Sequence, residues 1–362
     1  MILSNLYNIK SSPAESLADF EPQETSQALD VKLRKALFTD SIGEQVVWLG
    51  YGAGKCVGLS RCDDLSPDEP FRELNRVEAS SNSMDICRIK PNQFGVGFGD
   101  GTLRIISTDK KKIESVAKIK PLHGSCDSRV LSYHDGIITS GSSNGSIVHV
   151  DVTTQKVTTY GKFHGAVRSL VSFAGGKLLA SGHGTGQIAI WDLRQPPFNS
   201  VNSVVPSKKP LDAVTALSAH PAMANLVSFG TDDGAIGFCD VRGTSGTLVP
   251  TSFDVATAAI TQIKFDAHSG EHLLCSSEDG SIVHWDVSGI PSTEYLSVGN
   301  SRQAAWLAES LSDWVKLSSL RSKCFSAINS IDINNTTVLA TSDIGTLLCY
   351  TGLPFPKSHQ HR

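Results

Sequence analysis

The chain has 362 residues, 40% of them hydrophobic and 19% charged, with a formal net charge of −4 and a mean hydropathy of −0.07. That much apolar material excludes wholesale disorder, and the slightly acidic balance argues against a nucleic-acid binder. No apolar run reaches the roughly 18–20 residues of a membrane span, and the eight cysteines include no C-x-x-C pair, which argues against a disulfide scaffold or a zinc site.

Residues 1–10 have no basic start and no long apolar stretch, so no secretory signal is expected there. Leu3, Leu6 and Ile9 give this segment the pattern of a strand, and residues 11–30 are expected to be a loop. A short pattern then recurs along the chain: small residues, a turn ending in Gly, alternating apolar residues, and often Asp. The copies are Leu49–Leu59, Gly97–Ile106, Ser140–Asp151, Ser181–Asp192, Gly230–Asp240, Ser276–Asp286 and Thr341–Tyr350. Their turn glycines, from Gly54 to Gly345, are 41 to 48 residues apart, except for a last gap of 65. A period near 40–45 with a strand–turn–strand core predicts propeller blades. In the fourth copy Val167, Ser169, Val171 and Phe173 read as the innermost strand, Leu178–Ser181 as the next, and Gln187–Trp191 as a third, buried on both faces. Seven such blades make an all-β, seven-bladed propeller spanning residues 1–353. The segment from Asp63 to Glu73 is acidic with two prolines and is expected to be a flexible loop. After Tyr350, Pro354 and Pro356 leave poor strand material. The last blade therefore needs its outer strand from residues 1–10, and 354–362 is expected to be a flexible tail.

Trp191-Asp192 and Trp285-Asp286, with the drifted Cys239-Asp240 and Val150-Asp151, resemble the signature of the WD-repeat family. The resemblance implies a blade-stabilising network of a His, a Ser or Thr, a turn Asp and the Trp. His123 and His164 stand where that His belongs. The network is incomplete, because Thr185 replaces the turn Asp of the His164 blade and no His-Gly precedes Asp279 and Trp285. The blades are therefore expected to lean on apolar packing.

Three strings look catalytic or phosphate-binding and are better read as blade turns. Gly141-Ser142-Ser143-Asn144-Gly145 fits G-x-S-x-G, but a strand rather than a helix follows. Gly50–Lys55 has the wrong spacing for a phosphate loop, and no helix follows Gly182–Gly186. His359 and His361 sit in a polar tail. No catalytic, cofactor-binding or metal-binding residue is assigned, and no cofactor or small-molecule substrate is expected.

The insertion 299–324 before the last blade is expected to be helical, because Leu307, Leu311, Trp314 and Val315 recur at helical spacing. Its apolar face packs on the propeller rim or contacts a partner. In the second case Trp306, Leu307, Leu311 and Trp314 are the candidate anchors, beside Leu17 and Phe20 of the 11–30 loop. Trp306-Leu307, Ser319-Leu320, Ser326, Asn329 and Asp332 also resemble the WD-repeat nucleoporins of the Y-shaped outer-ring complex. That resemblance implies a non-catalytic scaffold at the nuclear pore of the nuclear envelope, bound to helical-solenoid nucleoporins. It implies support of pore assembly, of protein and mRNA transport, and of kinetochores in mitosis. No direct nucleic-acid contact or membrane insertion is expected. A rival reading is a substrate receptor of a cullin-type ubiquitin ligase, because Trp191-Asp192-Leu193-Arg194 matches the W-D-x-R box of such receptors.

Overall fold

The computed structural model describes residues 22–40, 42–62, 70–194, 200–204, 212–241, 251–289, 306, 315–353 and 355. Among them, 28 strands form seven four-stranded antiparallel sheets. β1 (Gln23–Ala28) stands apart from the first blade, which is β2 (Lys32–Phe38), β3 (Gln45–Tyr51), β4 (Cys56–Cys62) and β5 (Phe71–Glu78). The second blade is β6 (Ser83–Lys90), β7 (Gln93–Phe98), β8 (Leu103–Asp109) and β9 (Lys112–Ile119); the third is β10 (Val130–His134), β11 (Ile137–Gly141), β12 (Ser146–Asp151) and β13 (Val157–Lys162). The fourth is β14 (Val167–Phe173), β15 (Leu178–His183), β16 (Ile188–Asp192) and β17 (Ser200–Val204). The fifth is β18 (Val214–Ala219), β19 (Leu226–Thr231), β20 (Ala235–Asp240) and β21 (Thr251–Asp254). The sixth is β22 (Ile260–Phe265), β23 (His272–Ser277), β24 (Ile282–Asp286) and β25 (Lys316–Arg321). The seventh is β26 (Ile328–Asn334), β27 (Thr337–Ser342) and β28 (Thr346–Thr351), with β1 as its outer strand.

The ring is closed from the N-terminal side, but by different residues from those expected. Gln23 pairs with Thr351 and Ala28 with Thr346, so the closing strand lies within the segment read as a loop. Residues 1–10 lie outside the described residues. An outer strand is half in water, and β1 (QETSQA) is accordingly polar. Its side chains tie it to both neighbours: Glu24 pairs with Arg321 of β25 at 3.1 Å, and Gln27 Oε1 accepts from Phe71 N of β5 at 2.8 Å. Two further expectations change for the same reason. Phe71–Glu78 is a strand, so the acidic loop ends earlier than Glu73, and Lys316–Arg321 is the outer strand of the sixth blade rather than part of a helix. At the other end, Phe355 is buried against His272 and His284, their ring centres 5.1 and 5.5 Å away, so the tail is anchored at this residue.

Among the described residues the core divides into apolar clusters, one between each pair of neighbouring blades. The inner strand of each blade has one free edge, whose N–H groups need acceptors. Side chains of the preceding blade supply them. Asp332 Oδ2 accepts from Phe38 N at 2.9 Å, Asp85 Oδ2 from Leu131 N at 2.7 Å, and Gln262 Oε1 from Ile331 N at 3.2 Å.

Six of the turn glycines, Gly101 to Gly345, have φ between +78° and +91°, as tight hairpins require. In the first blade Gly52 (φ +75°) takes that role. Gly54 is needed for space instead, since a Cβ there would lie 2.4 Å from Val31.

Candidate functional site

The signature residues build blades. Trp191 is buried, and its indole N–H donates to Ser181 Oγ at 2.8 Å, which in turn meets His183 Nε2 at 2.8 Å. The His of this network thus comes from β15, while His164 is exposed and offers its backbone carbonyl to Thr185. In the third blade His123 occupies the expected place, 2.9 Å from Ser140 Oγ and 2.6 Å from Ser146 Oγ. In the sixth, Asp279 accepts from Thr257 N and Oγ1 and from Ser281, so a threonine stands in for the missing His. Cys275 occupies the register position of Ser181 there, two residues from the mate of Trp285. Asp286 caps the turn at Ser288. Asp192 holds Arg194 through two bonds of 2.8 and 2.7 Å, and Asp240 ends β20 in register with Leu226.

Burial pushes the imidazoles of His123, His183 and His284 down to about 4, the neighbouring His272 adding to the shift at His284. The unfolded chain protonates them near 6.5, so it binds protons that the folded ring refuses. Stability is expected to be full above about pH 6.5 and to fall as pH drops toward 4. Denaturant midpoints at about pH 8, 6 and 5 check this; a flat midpoint across that window contradicts it.

The G-x-S-x-G string is a hairpin turn. Ser142 is buried, its hydroxyl donates to Asp127 Oδ1 at 3.2 Å, and the turn runs into β12. A nucleophile elbow needs an exposed Oγ at a strand-to-helix turn. Neither Ser142 nor Ser143 is expected to react with a fluorophosphonate probe, and mass spectrometry of the treated protein checks this.

Of the candidate partner residues, the structure describes Trp306 alone; Leu307, Leu311, Trp314, Leu17 and Phe20 lie outside the described residues. Trp306 is 4% exposed and fills the seam between the fifth and sixth blades, its ring centre 5.0 Å from that of Phe238 and 5.3 Å from that of Phe265. A ring in that position serves the core of its own chain. Trp306→Ala is expected to cost about 3 kcal/mol or more of stability through the cavity it leaves. A melting temperature equal to that of the parent chain would show the contact to be dispensable.

A cavity of about 410 Å³ opens where the inner strands begin, at the face that also carries the turn glycines. Its lining has a pattern that sequence reasoning missed. In six inner strands the ladder skips one residue near the start: Arg34, Met84, Arg168, Thr215, Thr261 and Asn329. Arg129 precedes β10 at the equivalent place in the third blade. Such bulges re-aim side chains, and all seven residues line the cavity. In three consecutive blades the re-aimed side chain bonds the next inner strand: Thr215 donates to Ile260 O, Thr261 to Ile328 O and Asn329 to Leu33 O, each at 2.6 Å.

Known proteins bear on this fold as follows. A scan of family models finds no match. The chain is 32% identical to nucleoporin Nup43 of Homo sapiens over 131 residues, covering 35% of this chain and 33% of that protein. It is 29% identical to nucleoporin Nup43 of Mus musculus over 171 residues, covering 41% and 44%. The chain thus matches less than half the length of these curated relatives. A chain in the crystal structure of the Mitotic Checkpoint Complex superposes with a TM-score of 0.68 over 98% of this chain and 99% of that one; at 17% identity this shows the fold alone. Blade number, blade signatures and sequence agree: the chain is a seven-bladed β-propeller whose blades resemble WD repeats and whose sequence resembles nucleoporin Nup43.

Proposed function

We propose that the chain is a non-catalytic scaffold subunit of the nuclear pore outer ring, the Y-complex, supporting pore assembly and nucleocytoplasmic transport. The similarity to nucleoporin Nup43 carries this reading. The architecture suits it: a closed ring stitched blade to blade is rigid, and rigid scaffolds present loops for docking at little entropic cost. The partners are helical-solenoid nucleoporins, and the place of action is the nuclear envelope, with the kinetochore as a mitotic site. The segment around Leu307, Leu311 and Trp314 is a contact surface in this reading, with Trp306 fixing its base in the seam. A tagged full chain purified from native extract should bring down Y-complex subunits as its main partners. Recovery of a ubiquitin ligase adaptor without nucleoporins would sink the proposal.

A further inference from the structure

The six bulge residues and Arg129, which line the cavity, do not all serve the ring. Thr215, Thr261 and Asn329 stitch the fifth, sixth and seventh blades to their successors. The first, third and fourth blades place an arginine at the same position: Arg34, Arg129 and Arg168. None of the three makes such a stitch. Arg34 lies over the ring of Tyr51, 4.8 Å from its centre, and its buried Nε donates to no acceptor among the described residues. Arg168 is exposed and makes no ion pair among the described residues. Arg129 has a loose partner, Asp127 at 3.5 Å.

Arg129 feels the charges of both Arg34 and Arg168 across this lining. Burial, then the charge of Arg168, then that of Arg34 push the Arg129 guanidinium below its ordinary value, with Asp127 acting the other way. No other charged residue of the lining forms an ion pair with the three arginines among the described residues. Lys35 and Asp85 are bonded to each other at 2.6 Å, and Glu278 lies on the sixth blade. Like charges held together by the backbone cost stability unless an anion is bound between them.

We propose that this channel mouth is an anion site, in which Arg34, Arg129 and Arg168 together grip one phosphate or carboxylate side chain of a partner protein. Guanidinium forks match the geometry of both anions. The volume suits one side chain and its backbone, at the small end of the range for ligand pockets. A protein segment is favoured over a free anion by what stands on the same face. Phe325 is fully exposed and Ile344 is 67% exposed, on adjoining loops tied by Ser326 Oγ to Asp343 Oδ1 and by Asp343 N to Ala327 O, both at 3.1 Å. An apolar side chain of the same segment would cover them.

The test uses the full chain and three fluorescein-labelled peptides of one Gly-Ser-Leu-rich sequence, identical but for a central phosphoserine, glutamate or serine. Anisotropy should show that the phosphoserine or the glutamate peptide binds and that the serine peptide does not, and which anion binds identifies the source. Arg34→Gln, Arg129→Gln and Arg168→Gln should each weaken that binding roughly tenfold or more. Their melting temperatures should match or exceed that of the parent, since repulsion is relieved. Arg104→Gln, outside the cavity, should bind as the parent does. Phe325→Ala should weaken the peptide while leaving competition by pyrophosphate intact. The proposal fails if none of the peptides binds, if pyrophosphate binds and the peptides do not, or if binding survives all three cavity substitutions.

Discussion

Deleting residues 1–28 is expected to abolish the stable, soluble monomer. The deletion strips β1 from β28 and leaves Thr346–Thr351 as an open edge, a strand whose residues Leu347–Tyr350 are buried in the intact ring. It also removes Glu24 from Arg321 and Gln27 from Phe71 N, so the seventh blade loses links to both neighbours at once. An unpaired edge of this composition pairs with other copies. The truncated chain should therefore elute as aggregate in size exclusion and lose the cooperative thermal transition of the full chain. Removing residues 1–10 alone leaves all six residues of β1 and their register, and should spare ring closure. If the chain lacking 1–28 elutes and melts like the parent, closure by β1 contributes nothing to the fold.

Asp332→Ala is expected to be the most damaging single substitution at the inner seam, at about 3 kcal/mol. The Asp332 carboxylate is buried and reaches three other blades. It accepts from Phe38 N of the first at 2.9 Å, from Arg88 of the second at 3.3 Å and from Lys264 of the sixth at 2.5 Å. Alanine would leave a buried backbone donor, the partly buried Lys264 and the exposed Arg88 without it. Asp332→Asn keeps an acceptor for Phe38 N and should cost less, which separates the loss of the hydrogen bond from the loss of charge. Guanidinium unfolding of the three proteins reads the difference, and an alanine variant as stable as the parent contradicts the assignment. Asp85 does the same work two seams along, holding Lys35 and Leu131 N, and its alanine variant should behave similarly.

The repeat was legible because the two middle strands of each blade are largely buried on both faces. Burial demands apolar runs and tight turns, so Gly186, Ile188–Trp191 and their counterparts recur at a fixed spacing, and the blade count follows from counting them. Outer strands obey a weaker rule. Gln23–Ala28 and Lys316–Arg321 are half-solvated, carry no apolar run and are specified by pairing to a buried neighbour, so one read as a loop and the other as part of a helix. The blade networks were legible in kind but not in detail. A hydroxyl or imidazole can reach Trp191 from several places in the chain, and only the register of β15 puts His183 beside Ser181 rather than His164. The cavity was not legible at all. Arg34, Arg129 and Arg168 are ordinary surface charges in the sequence, and they converge because a bulge in the inner strand of each blade, or its equivalent, turns one residue toward the common axis. The sequence by itself determined the blades, because burial dictates composition residue by residue. Ring closure, the seams and the channel mouth were decided by tertiary structure alone, because each depends on residues from different blades meeting at distances that only the closed ring sets.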